Sequence, residues 1–154
     1  MTQIELENKV KTVKDTQRTE RESILQTYNQ ERGEVEKLFD KLAEDKNTFY
    51  QQWHKRRSDL IDKLHEFKRA GLADFSEEVS LVNKQLSELK QKKAEFNFVY
   101  ERQYKNILDQ RRKAADKMDL ALKTNASKCR CQVRELVDTY FDKKAAAIPA
   151  ETEQ

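Results

Sequence analysis

The sequence predicts an all-α protein, a long antiparallel two-helix coiled-coil hairpin, and three observations carry that expectation. Only two glycines and one proline punctuate 154 residues, whereas an average globular chain uses about 7 % Gly and 5 % Pro. Charged residues make up 38 % and hydrophobic residues 36 %, in the Glu-, Lys-, Leu-, Gln- and Arg-rich mixture of long helices. The apolar residues also recur at steps of three and four, which argues against the disorder that such polarity alone would suggest.

The first helix is expected over about 3–70. Leu6, Val10, Val13, Gln17, Ile24 and Tyr28 begin its seam; Val35, Leu38, Leu42, Phe49, Trp53, Leu60, Leu64 and Phe67 continue it. On the outer faces of both helices, acids precede lysines by four residues: Glu5–Lys9, Glu7–Lys11, Asp59–Lys63, Glu88–Lys92 and Glu101–Lys105. Each such pair adds about 0.2–0.5 kcal/mol to a helix. Gly33 reads as a tolerated interior glycine, costing about 1 kcal/mol relative to Ala.

A turn is expected at 71–74, within "RAGLADFSEE". Lys68 and Arg69 suit the negative end of a helix dipole. Gly71 fits the left-handed C′ position, which makes Phe67 the C3 residue and Leu72 the C″ residue, a usual apolar pair. Asp74 followed by Glu77 resembles a capping box for the next helix. So short a connection makes the two helices antiparallel neighbours.

The second helix is expected over about 75–146. Its seam runs Val79, Val82, Leu86, Leu89, Lys93, Phe96, Tyr100, Gln103 and Ile107, then changes phase. It resumes as Leu108, Arg111, Ala115, Met118, Leu122, Ala126, Cys129, Val133, Leu136 and Tyr140, with a stutter near Leu122. Residues 1–148 form a single hairpin domain in this reading, and 149–154, beginning at Pro149, form a tail. Each helix would span about 100 Å at 1.5 Å per residue.

A turn near residue 72 sets position i opposite a position close to 145 minus i. Ile4, Leu6, Val10 and Val13 then meet Tyr140, Leu136, Val133 and Cys131, and the crowded pair Leu38–Phe39 meets Ile107–Leu108. The polar stretch 14–23 faces another stretch poor in large apolar residues. Backbone ordering costs about 1–2 kcal/mol per residue, and a two-helix seam buries little, so a protein partner or self-association into a homo-oligomer is expected. The rival architecture, a compact three-helix bundle, needs a second full break, and only Gly33 or "TNAS" at 124–127 offers one.

Catalysis is not expected. His54 and His65 are the only histidines, and no second ligand set or base–nucleophile constellation accompanies them. Cys129 and Cys131 are two apart, about 200° around a helix, and cannot chelate one ion together. No phosphate-binding glycine loop occurs. The expectation is no enzyme, no cofactor, no metal and no small-molecule substrate. "MTQIELENKV" lacks the basic and apolar runs of a secretory signal, and nothing approaches the roughly 18 apolar residues of a membrane span. A reducing, cytoplasmic setting without a membrane is the simplest expectation.

Two surfaces are candidates for binding. Lys55, Arg56 and Arg57 come near Lys90, Lys92 and Lys93 on the facing map, making a basic collar that would attract phosphates or an acidic protein. Nucleic acid ranks behind protein here, because the net charge is only +3 and no recognition module is visible. The second surface is aromatic. Phe39, Phe49, Tyr50, Trp53, Phe98 and Tyr104 exceed what two helices can bury, and such anchors mark protein contacts. A scaffold, adaptor or assembly component follows.

In length and architecture, over the whole chain but with no diagnostic motif, the outline is similar to the small two-helix stalk proteins of bacterial flagellar and type III export systems. That resemblance implies a stalk-like regulator that stimulates a ring-shaped export ATPase.

Overall fold

The computed structural model describes residues 1–74 and 76–147. They form two long helices, α1 (Gln3–Arg69) and α2 (Glu77–Ala146), which pack against each other as an all-α helical hairpin. Both run unbroken through Gly33 and through 124–127, which removes the three-helix alternative. The expected tail at 149–154 lies outside the described residues, as does Phe75, where α2 was expected to begin.

Local chemistry fixes the helix ends. Thr2 and Glu5 form a reciprocal capping box: the Glu5 amide donates to Thr2 Oγ1 at 3.2 Å, and the Thr2 amide donates to Glu5 Oε2 at 3.3 Å. At the other end of α1, the Leu72 amide donates to the Phe67 carbonyl at 3.0 Å and the Gly71 amide to the Lys68 carbonyl at 3.1 Å. These are the two bonds of a Schellman stop, with Gly71 at φ 78°. The start of α2 corrects the Asp74 expectation: the Val79 amide donates to Ser76 Oγ at 3.4 Å, so Ser76 is the N-cap.

A side chain at Gly71 would meet nothing within 4 Å, and the same holds at Gly33. Backbone conformation alone therefore decides both substitutions. Gly71→Ala should lower stability by about 1–2 kcal/mol, the cost of a left-handed L-residue. Gly33→Ala should raise it by about 0.5–1 kcal/mol, since Ala loses less entropy in a helix. Urea unfolding followed by circular dichroism tests both, and equal effects of the same sign would contradict this account.

The chain divides into two units, Met1–Gly33 with Arg112–Gln154 (unit 1) and Glu34–Arg111 (unit 2). Unit 2 holds most of the buried apolar residues. Val35, Leu42 and Ile107 form its core cluster, with Phe39 and Tyr100 packed on it, while Leu60, Val79 and Val82 are buried nearer the turn. The expected seam members Leu38 and Leu108 are exposed instead, as are Gln103 and Arg111. Phe39 takes the place of Leu38 because its larger ring meets Tyr104 edge-on at 5.5 Å, which buries more area.

Unit 1 has a more polar seam. Asn125 is 7 % exposed, and its Nδ2 donates to Glu20 Oε2 at 2.7 Å; Lys128 Nζ lies 3.7 Å from Glu20 Oε1. Thr12, Thr16, Thr19 and Thr27 donate their hydroxyls to carbonyls four residues back, so this polar stretch satisfies itself within α1. Ile4, expected to face Tyr140 across the hairpin, is exposed, and so is Cys131. The facing relation holds in each unit: Glu20–Asn125 and Phe49–Phe96 both add to 145.

Candidate protein-interaction surfaces

In unit 2 the aromatic side chains form a continuous ladder. From Phe39 it passes to Tyr104, then Tyr100 at 6.2 Å and Phe96 at 6.3 Å. Phe96 stacks flat on Phe49, with centroids 3.9 Å apart and 4° between planes, and Tyr50 meets both rings edge-on. Two of the polar tips find partners. The Tyr50 hydroxyl donates to Asn97 Oδ1, and Trp53 Nε1 donates to the Leu89 carbonyl at 2.8 Å.

Two lysines complete the ladder. Lys46 Nζ sits 4.7 Å from the Tyr100 centroid, and Lys93 Nζ sits 4.3 Å from the Trp53 ring. A cation over an aromatic face contributes about 0.5–1 kcal/mol at exposed sites and more when desolvated. This arrangement explains how Lys93 occupies a seam position: its stem packs on apolar surface while its charge rests on indole.

The structure therefore sorts the six aromatic candidates. Phe39, Phe49, Tyr50 and Trp53 are half-buried within the hairpin's own packing, so for them the argument that two helices cannot bury such rings fails. Tyr104 is at the margin, and Phe98 stands clear at 69 % exposure with Val99 beside it.

Three of the six collar residues meet at Trp53. Arg57, Lys90 and Lys93 line an open groove of about 600 Å³ whose apolar wall includes Trp53, Ile61 and Leu86. Lys55, Arg56 and Lys92 are exposed beyond it. Among the described residues, no acid lies within ion-pair distance of these six cations. The five expected acid–lysine pairs also stay open there, because holding two long exposed side chains together gains little over solvation. Ala94 lines the same groove, and Phe98 follows it one turn along α2, so the groove and the exposed ring form one surface.

Unit 1 carries a second basic groove that the sequence reading missed. Lys14, Arg18 and Arg21 on α1 face Arg130 and Arg134 on α2 across an apolar floor. No run of consecutive cations announces it; the signal is spacing by four and three on α1 and by four on α2, combined with the facing relation.

No cluster of three or more His, Cys, Asp or Glu side chains suited to a metal occurs among the described residues. His54 instead packs against the edge of Trp53 at 5.1 Å. Cys129 is a buried free thiol and Cys131 an exposed one. No helix among the described residues is long and apolar enough to cross a membrane. Comparison with protein-family models, curated proteins and solved structures gives no match.

Proposed function

We propose that this chain is a non-catalytic helical scaffold, adaptor or assembly component that works by protein–protein contact through the Trp53 surface of unit 2. One observation supports this most: a groove is walled by Trp53 and edged by Arg57, Lys90 and Lys93, none paired with an acid among the described residues, and Phe98, four residues beyond the groove's Ala94, is 69 % exposed. Aromatic anchors beside unpaired cations suit an acidic, partly apolar protein surface. The partner is a second copy of this chain or another protein.

The test places a photo-crosslinking amino acid at position 98 in living cells and measures the mass of the conjugates. Protein conjugates of defined mass are expected, and Arg57→Glu with Lys90→Glu should reduce their yield by about tenfold, a loss of about 1.4 kcal/mol. No protein conjugate, or a yield insensitive to charge reversal, defeats the proposal. The six collar cations, none paired with an acid among the described residues, also favour a second reading, non-specific nucleic-acid binding. Conjugates to nucleic acid alone, with affinity falling steeply in salt, would select it.

A further inference from the structure

The groove of unit 1 differs from the Trp53 surface in what it offers a ligand. Its floor is Ala126, Cys129, Val133 and Val137; Cys129 is buried and the other three are half-buried. Two helices thus leave one side of their apolar seam open. Its walls are Lys14, Arg18 and Arg21 on one side and Arg130 and Arg134 on the other, with Asp138 the one acid in the lining. Among the described residues no acid comes within ion-pair distance of these five cations. The nearby Glu20 is already engaged by Asn125 and Lys128. The space between the walls is about 760 Å³.

A row on α2 extends the site. Arg130, Arg134, Val137 and Phe141 follow one another at steps of four, three and four, which keeps them on one face of a helix. Phe141 is 56 % exposed. An apolar anchor therefore stands at the end of the cationic row.

We propose that this groove is the docking site for an acidic amphipathic α-helix of a partner protein, laid against unit 1 as a third strand. The floor from 126 to 138 runs for about 18 Å, the length of roughly three helical turns. A helix laid there sets its apolar stripe on Val133 and Val137 and directs flanking carboxylates to both walls, as in a coiled-coil seam with charged edges. Four of the five cations are arginines, whose planar forks pair carboxylates through two parallel hydrogen bonds. A nucleic-acid backbone fits less well. It would lie over Val133 and Val137 without burying apolar surface of its own, and the floor holds no aromatic ring on which a base could stack.

The probe is a labelled two-heptad peptide with Leu at a and d and Glu at e and g; its control is an isomer of the same composition in shuffled order. Binding to the full chain is read by fluorescence anisotropy. The ordered peptide should bind at least about tenfold tighter than the shuffled one. Arg18→Glu with Arg130→Glu and Arg134→Glu should remove that preference, and Phe141→Ala should weaken binding severalfold. Lys55→Glu with Arg56→Glu and Arg57→Glu should leave it unchanged, which separates this site from the Trp53 surface. All these side chains are exposed, and circular dichroism confirms that the variants stay helical.

Absent binding, equal binding of both isomers, or undiminished binding by the groove variant overturns the proposal. Tighter binding of a labelled single-stranded oligonucleotide, lost in the same groove variant, overturns it in favour of nucleic acid.

Discussion

Leu60→Ala is expected to lower the stability of the chain by about 2–5 kcal/mol, the range for emptying a buried leucine site. Leu60 is 0 % exposed, the most deeply buried side chain in the structure. It belongs to unit 2, where Val79 and Val82 are buried as well, and a site with no solvent access leaves a void when the side chain is cut back. For a chain of this size each kcal/mol moves the melting temperature by about 2–4 °C, so the shift should be on the order of 10 °C. Leu81→Ala is the matched control. Leu81 is an exposed leucine of the same unit, on α2, and surface substitutions usually stay within about 0.5 kcal/mol. Similar melting curves for the two variants would show that the seam near the turn does not hold the helices together.

Trp53→Ala should have the next largest effect, about 2–3 kcal/mol, somewhat below the 3–5 kcal/mol typical of a fully buried Phe or Trp. The side chain is half-buried and serves three neighbours at once. It donates to the Leu89 carbonyl, carries Lys93 over its face and meets His54 at its edge. Trp53→Phe separates these roles. Phenylalanine retains a ring under Lys93 while losing the indole N–H and the area of the five-membered ring. As part of α2, the Leu89 carbonyl keeps its intrahelical donor, so no buried acceptor is orphaned. Trp53→Phe should therefore cost under about 1.5 kcal/mol. Urea titration read by circular dichroism decides, since the tryptophan is the only one in the chain and its fluorescence disappears in both variants. Equal losses for Ala and Phe would move the weight from packing to the hydrogen bond.

The features most legible in the sequence were those specified by single residues with few substitutes. Gly71 could be placed at a left-handed stop because Phe67 and Leu72 stood at the right offsets, and the turn bonds follow that assignment. Once the turn was located, the facing relation brought Phe49 to Phe96 with no further information. The Thr2–Glu5 box was equally legible by its spacing and was overlooked. Ser76 caps α2 where Asp74 was expected, and cap propensity does not separate the two residue types.

The surfaces were harder to read for a different reason. A run such as Lys55–Arg57 stands out in one dimension, but a groove is made in azimuth. Lys14, Arg18, Arg21, Arg130 and Arg134 are interspersed with Asp15, Glu20, Glu22 and Glu135 in the sequence, and the helical turn separates the signs. The aromatic ladder misled in the opposite sense. Counting rings suggested more than two helices could cover, whereas flat stacking of Phe49 on Phe96 and lysines laid over Tyr100 and Trp53 accommodate most of them. Exposure of Phe98 was the part of that count that survived.

The contact between Asn125 and Glu20 joins residues 105 positions apart, and it gives the hairpin a keyed alignment. If α1 slid by one heptad in unit 1, the Asn125 amide would face Val13 or Thr27 in place of a carboxylate. A seam of leucines tolerates such slippage, but a nearly enclosed amide without an acceptor costs about 1–3 kcal/mol. A slipped alignment is thus discouraged within unit 1, and the groove there, which needs both helices at one level, is assembled in a single register.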